Sequence, residues 1–349
     1  MTIKSSGTQL GFGEIETEFG AQSPRSLGSY RHTQTVNGLV FNGIDSGIPS
    51  SGEIKFSDFY GKSLNIVVDC FSTDANNGGA IEYRVNAKNN KWNNNSIVII
   101  NPSTVSKKEE GTKITIRVNK KFGSDKSQGT NCALRTGTWS NPASVTVDLG
   151  SNAKILGAGG NGGRGADGTT NPGLDGGDGS SGLGIEHQGT IVNYRSGSII
   201  RAGFAGGGGG GGGRETSKND RRAGGGGGGG GAGFPFGTGG PGGVPQAGTR
   251  QANEDIGSPG GNGTETTGGN GGGGGDNEDQ AGGQTGGRGG DNEQTPTDGP
   301  DDDSQGGDAG TNGAAIRETS GVSFTFGTTG GTIQPSSFTN AANAQQGVA

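Results

Sequence analysis

Two unbroken runs of eight glycines, Gly206–Gly213 and Gly224–Gly231, flank a compact charged island, Arg214–Arg222 (RETSKNDRR). A run without side chains has no apolar surface to bury, so hydrophobic collapse cannot order it. Two outcomes remain: a floppy tether, or a solid in which backbone packs on backbone. The distribution of glycine separates them. Of 83 glycines, 61 fall within residues 151–313, against 17 in the first 150. They gather into nine blocks: Gly157–Gly168, Gly173–Gly184, Ala202–Gly213, Ala223–Gly233, Gly237–Gly243, Gly257–Gly263, Gly268–Gly275, Ala281–Gly290 and Gln305–Gly313. A linker needs no such even blocks. It also needs no apolar insert like Ile185–Arg201 (IEHQGTIVNYRSGSIIR), whose apolar pairs around Asn193–Ser198 predict a β-hairpin.

The pattern therefore predicts a packed bundle, with a disordered tract as the alternative. In the polyproline II conformation each block has three residues per turn and a rise of about 3.1 Å. Its N–H and C=O groups then point outward in three directions, and only neighbouring strands can satisfy them. Ordering costs on the order of 1–2 kcal/mol per residue, against about 1 kcal/mol per net hydrogen bond. Such a bundle needs many strands and pinned ends. The pins expected are Val145–Leu156, the hairpin, and Val322–Phe326 (VSFTF). If strands alternate up and down, the chain returns to the pinned end only after an even number. Nine is odd, so a boundary is misplaced, near Thr264–Thr267 or Pro296–Ser304. No G-X-Y register runs through the region and proline numbers only 12, which argues against a collagen helix.

Ahead of the bundle, residues 1–62 read as a small unit. Ile15 and Phe19, four apart, predict one face of a short helix; Ile54, Phe56, Phe59 and Tyr60 supply its other apolar positions. That is little apolar surface for an independent domain, so the unit is expected to fold against a partner. Residues 63–150 alternate apolar and polar at Ile66–Phe71, Ile114–Asn119 and Val145–Leu149. With further runs at Ala80–Ala87, Ser96–Asn101 and Cys132–Ser140, six or seven strands predict an immunoglobulin-like β-sandwich. Trp92 and Trp139 are expected in its core or rim. The fold class is thus mostly β and irregular. It comprises the module at 1–62, the sandwich at 63–150, a glycine-rich domain at 151–330 with a β cap, and a polar tail at 331–349.

A net charge of −6 and a pI near 5.1 disfavour a nucleic-acid partner. No apolar run spans a bilayer, so no membrane insertion is expected, and no leader of basic and apolar residues opens the chain, which predicts synthesis in the cytosol of some cell. Cys70 and Cys132 are expected as buried thiols rather than a bridge. GxGxxG strings arise here from composition alone. With only His32 and His187, no nucleophilic triad has support, and His187, in the expected hairpin, is read in a surface or hairpin-packing role. Asp167, Asp175 and Asp178 beside glycines lack the nine-residue period of calcium-binding repeats. Asp301–Asp303 could collect a hard cation but reads rather as a solvated acidic loop. No catalytic residue, cofactor or metal is expected, and the chain is not read as an enzyme.

The segment GFGEIETEFG…SGIPSSGEIKFSDFYGKS resembles the short N-terminal module that opens many tailed-bacteriophage tail and baseplate proteins, with its ISFSDFYG-like ending at Ile54–Gly61. The arrangement VTVDLGSNAKILGAGGNGGRGADG, the internal TIVNYRSGSII, the glycine blocks and the closing GAAI…VSFTF resemble glycine-rich receptor-binding domains of phage adhesins. Those are the long-tail-fibre tip adhesins of T-even-like phages and the C-terminal parts of lambda-type host-specificity proteins. The resemblance implies a virion protein with a polyglycine II sandwich whose far loops touch the host receptor. It implies attachment to other virion proteins through residues 1–62, by Ile15, Phe19, Ile54, Phe56, Phe59 and Tyr60. The loops here are long and charged rather than aromatic-rich.

If alternation holds, the distal tips are Thr169–Pro172, Arg214–Arg222, Val244–Ile256 and Asp276–Gln280. Arg214, Lys218, Arg221 and Arg222 offer cations to phosphates or carboxylates of a surface glycan or lipopolysaccharide, or to an outer-membrane protein. Glu215, Asn219, Arg250, Glu254, Asp255, Asp276 and Glu278 extend that polar surface, the acidic ones as acceptors for sugar hydroxyls. The competing functions are a non-adhesive head fibre or tail connector and an ice-binding polyglycine bundle, which would want a flatter, weakly charged face.

Overall fold

The computed structural model describes residues 3–32, 43–70, 97–100, 111–119, 121–124, 131–137, 139, 141–214, 222–245, 256–275, 282–291 and 293–334. The N-terminal unit is built on helix α1 (Phe12–Phe19) and two short 3-10 turns, Leu27–Tyr30 and Phe56–Phe59. As the four-residue spacing predicted, Ile15 and Phe19 share the buried face of α1. The Gly11 N–H is capped by Glu14 Oε2 at 2.7 Å, and Glu18 Oε1 accepts from Leu64 N–H at 2.8 Å. The unit encloses its own core, in which Phe19, Tyr30 and Phe59 stack edge to face around Ile15, Ile48 and Leu64. Ile15, Phe19 and Phe59 therefore hold the module together and are closed to a partner; Ile54, Phe56 and Tyr60 are only partly covered.

The strands that follow do not form a sandwich. They are β1 (Ile66–Cys70), β2 (Ile97–Ile100), β3 (Lys113–Val118), β4 (Lys121–Gly123), β5 (Cys132–Arg135), β6 (Ser144–Leu149), β7 (Lys154–Leu156), β8 (Ser181–Ile185), β9 (Thr190–Tyr194) and β10 (Ile199–Arg201). Two more, β11 (Gly213–Arg214) and β12 (Arg222–Ala223), flank the charged island, and β13 (Ile316–Glu318), β14 (Phe324–Phe326) and β15 (Thr332–Gln334) close the described chain. Three sheets run in the orders β2-β1-β3-β6-β9-β14, β4-β7-β10-β15 and β5-β8-β13. Apart from β2 on β1, every pairing in them is parallel. From β3 onward the chain visits the three sheets in rotation, coil after coil, as a solenoid does.

Its interior is a stack of columns. Val68, Ile116, Val147, Val192 and Phe326 lie in register on the first sheet; Phe122, Ile155, Ile200 and Ile333 on the second; Leu134, Leu183 and Ile316 on the third. All join one apolar cluster, with Trp139 at its margin donating Nε1–H to Thr136 O at 2.8 Å. The immunoglobulin-like expectation fails because a coil and a sandwich impose the same in–out alternation, and period two carries nothing about which strand pairs with which. The hairpin expected at Ile185–Arg201 fails likewise: β8, β9 and β10 belong to three different sheets. The chain turns corners between them, and Gly197 (φ 82°) and Asn152 (φ 68°) take the left-handed conformation at successive copies of one corner. The boundaries at 150 and 330 dissolve with it, since β8–β10 and β13–β15 complete the same solenoid. The runs at Ala80–Ala87 and Trp92, and residues 335–349 of the expected tail, lie outside the described residues, as does the side chain of Cys70. Cys132 is a buried free thiol whose pKa burial pushes up.

The glycine region enters this solenoid as two insertions at one corner. Residues 157–180 leave β7 and return at β8; residues 202–315 leave β10 and return at β13. Hydrogen bonds recur at every third residue in several directions. From strand 157–166, Gly160, Gly163 and Ala166 donate to Phe204, Gly207 and Gly210 at 2.8, 2.9 and 2.9 Å. Gly159, Gly162 and Gly165 donate to Pro235, Thr238 and Pro241, while its Ala166, Gly163 and Gly160 carbonyls accept from Gly225, Gly228 and Gly231. That is the lateral spacing a chain with three residues per turn produces.

Among the described residues, ten strands share this pattern: 157–166, 173–180, 203–212, 224–233, 237–243, 257–263, 268–275, 283–290, 296–300 and 306–313. The strand absent from the block count is 296–300, in which Thr297 and Pro300 carbonyls accept from Gly208 and Gly211. Ten is even, so the chain regains the solenoid. The missed strand holds one glycine, because Pro296 and Pro300 preset the extended φ that glycine only tolerates.

The two octaglycine runs lie in the central strands. Every N–H from Gly203 to Gly212 and from Gly225 to Phe234 finds an acceptor, Asn312 and Ser304 side chains included. There is no room for a Cβ there: one built on Gly228 falls 2.0 Å from Gly207 O, and one on Gly209 falls 1.9 Å from Arg164 O. Rim strands keep one outward face, and their larger side chains recur at every third residue: Asn161, Arg164 and Asp167; Asp175 and Asp178; Thr238, Pro241 and Val244; Asp308 and Thr311.

Candidate functional site

The bundle has two unlike ends. Its near end is fastened to the solenoid. Glu265, at the tip of the turn Thr264–Thr267, accepts from Lys121 Nζ at 2.6 Å and Lys154 Nζ at 3.0 Å, and its carbonyl accepts from Arg201. Burial alone would raise the Glu265 pKa; the two lysine hydrogen bonds outweigh it and hold it below the usual glutamate value. Phe234 donates to Gly157 O at 2.8 Å, and its ring lies 3.5 Å beneath Lys121 Nζ.

The far end collects the turns. Asp167 opens the turn to Asn171, pairs with Arg164, and accepts from Val244 N–H at 2.9 Å, which ties the first tip to the third. Burial would raise its pKa, but bonds from Val244, Arg164 and Asn171 prevail and lower it. Arg222 Nη1 reaches Thr169 Oγ1 at 2.8 Å, and Arg214 N–H donates to Asp303 Oδ2 at 2.6 Å. Asp301–Ser304 is thus a fifth tip, stitched to the second by Gly212 N–H on Ser304 Oγ at 2.7 Å. Across the β11–β12 ladder Arg214 stands opposite Arg222, two like charges where a sheet ordinarily avoids them. Three of the four large apolar side chains most exposed among the described residues also lie toward this end: Leu174 (55%), Val244 (46%) and Ile256 (46%).

Of the residues expected to bind a receptor, Arg214 and Arg222 are placed at this end. Glu215, Lys218, Asn219, Arg221, Arg250, Glu254, Asp255, Asp276 and Glu278 lie outside the described residues. Described strand termini that flank those stretches meet at the far end: Gly224 O accepts from Gly275 N–H, and Gly283 N–H donates to Gly275 O. The aspartates beside glycines serve the backbone. Asp175 Oδ1 accepts from Asp308 N–H at 2.9 Å, Asp178 from Thr311 N–H at 2.8 Å, Asp298 from Ala309 N–H at 2.8 Å and Asp301 from Gly306 N–H at 2.8 Å. Each closes an N–H of strand 306–313 that no backbone carbonyl accepts. No cluster of metal-ligating side chains occurs among the described residues. His187 sits at a solenoid corner, where burial lowers its pKa, and His32 Nδ1 lies 2.8 Å from Ile44 O in the N-terminal core.

The model of the family "Phage tail fibre adhesin Gp38" matches residues 80–338. The chain belongs to the phage tail fibre adhesin Gp38 family. It is accordingly a virion component, an adhesin of the tail fibre that serves host recognition. Among solved structures, the gp37-gp38 adhesin tip complex of the bacteriophage S16 long tail fibre is similar at 20% identity and a TM-score of 0.39, over 82% of this chain and 87% of that one. A comparison with curated proteins finds no match. No helix among the described residues is long and apolar enough to cross a membrane.

Proposed function

We propose that this adhesin meets the host surface with the far end of its glycine bundle, a polyglycine II array acting as a rigid post. The observation that carries the reading is the gathering of tips from separate turns at one end, through Asp167 to Val244, Arg222 to Thr169 and Arg214 to Asp303. Loops on a rigid frame are where proteins place binding residues. The Arg214–Arg222 island faces phosphates or carboxylates of a glycan or lipopolysaccharide, or acidic loops of an outer-membrane protein. The family likeness of the glycine region supports the adhesive role over a head fibre or tail connector.

Residues 1–62 dock to other virion proteins in this reading. Since Ile15, Phe19 and Phe59 are spent on the module's own core, the docking surface is formed around Ile54, Phe56 and Tyr60. Replacing 214–222 with a neutral linker of equal length should abolish adsorption to host cells while the circular dichroism spectrum and melting temperature stay unchanged. Undiminished adsorption by the folded variant would remove the island from the receptor contact.

A further inference from the structure

Four Asn-Gly steps lie in described parts of the bundle: Asn161-Gly162, Asn262-Gly263, Asn270-Gly271 and Asn312-Gly313. Such a step is the one most open to self-modification, because glycine presents an unhindered main-chain nitrogen to the asparagine carboxamide. Three of the four are doubly locked. Gly162 N–H donates to Thr238 O at 2.8 Å, Gly263 N–H to Gly237 O at 2.9 Å and Gly313 N–H to Gly203 O at 2.9 Å, so each nucleophile is engaged. Each carboxamide is held as well: Asn161 Oδ1 by Thr238 N–H, Asn262 Oδ1 by Gly239 N–H and Asn312 Oδ1 by Ala205 N–H, all at 2.9 Å.

Asn270-Gly271 has neither lock. Asn270 is exposed, and among the described residues no hydrogen bond engages its carboxamide or the Gly271 N–H. Strand 268–275 is a rim strand that donates laterally from Gly269, Gly272 and Gly275 alone to the central strand. We propose that Asn270 is the bundle's spontaneous deamidation site. Gly271 nitrogen attacks Asn270 Cγ and loses its proton; the Cγ–Nδ2 bond breaks and ammonia leaves, giving a succinimide. Water then opens the ring to aspartate or iso-aspartate, with no oxidant or enzyme required.

The iso-aspartate product carries the main chain through the former side-chain methylene. It lengthens the path between residues 270 and 271 by one carbon, just ahead of Gly272 and Gly275, whose bonds to Gly227 and Gly224 set the register of this strand. The modification therefore acts on the strand that ends at Gly275, at the far end of the bundle.

The test is peptide mapping by mass spectrometry of the full folded chain held at mildly alkaline pH and 37 °C, beside a denatured sample. In the folded chain Asn270 should convert on the order of tenfold faster than Asn161, Asn262 or Asn312, a factor that breaking two hydrogen bonds accounts for. In the denatured chain all four should convert at similar rates. Asn270→Gln should remove the early product and leave the melting temperature unchanged. Conversion of Asn161, Asn262 or Asn312 as fast as Asn270 in the folded chain would overturn the proposal. So would an intact Asn270 when the denatured control converts.

Discussion

The solenoid and the glycine bundle meet one demand, a lateral partner for every buried backbone polar group, by opposite means. In the solenoid the side chains bring strands together: columns such as Phe122, Ile155 and Ile200 bury apolar surface, and the parallel ladders follow. In the bundle side chains would keep strands apart, and their removal lets one backbone bond to neighbours on several sides. The comparison teaches where tolerance lies. A solenoid interior suffers when an atom is taken away, a bundle interior when one is added, and the outward face of a rim strand, as at Gly273, tolerates both.

Alanine tests this most sharply because it is wrong in both interiors for contrary reasons. Gly228→Ala should have the largest effect, at least about 4 kcal/mol, since its Cβ would lie 2.0 Å from a carbonyl oxygen that no rotamer can move. Chemical denaturation of the variant measures it; a loss within experimental error would mean the strands are not close-packed. Ile155→Ala should cost about 2–5 kcal/mol as a buried cavity, measured the same way. The two changes should also differ in place, amide exchange rising first in 203–233 for the former and in β7 and β10 for the latter.

A smaller effect is expected where the two regions join. Glu265→Gln should lose about 1 kcal/mol by removing the ion pairs to Lys121 and Lys154. Because the folded-state pKa of Glu265 is depressed, its contribution is present above the unfolded glutamate value and is lost as pH falls through the folded value. On acidification, the protection of the 264–267 amides relative to their intrinsic exchange rate should therefore fall in the wild type, while the glutamine variant shows that lower protection already at neutral pH. The smallest effect belongs to Gly273→Ala on the rim. With nothing near its added Cβ, it should be neutral or stabilising by up to about 1 kcal/mol through the unfolded chain.

The sequence disclosed the bundle better than the solenoid, for a physical reason. Octaglycine is informative because so little else can be done with it, and the parity of up-and-down strands even exposed a missing one. The rim was legible too, in residues three apart such as Thr238, Pro241 and Val244, though block-counting hid it. Alternation at Ile114–Val118 and Val145–Leu149 revealed strands with one buried face but not their partners. Parallel pairing of β6 with β9 depends on residues over forty apart in sequence, with an insertion between them. The fifth tip, Asp301–Ser304, escaped because the strand before it carries proline where the others carry glycine. Glu265 escaped because its basic partners come from coils that no local pattern brings together.

Amide hydrogen exchange across Gly203–Gly212 and Gly225–Gly233 tests the central claim most directly. If backbone bonds between strands hold the bundle, these mostly glycine amides exchange as slowly as those of β6 and β9, while the Gly271 and Gly274 amides, which have no acceptor among the described residues, exchange fast. Rapid exchange throughout both central strands in the folded protein would contradict the account.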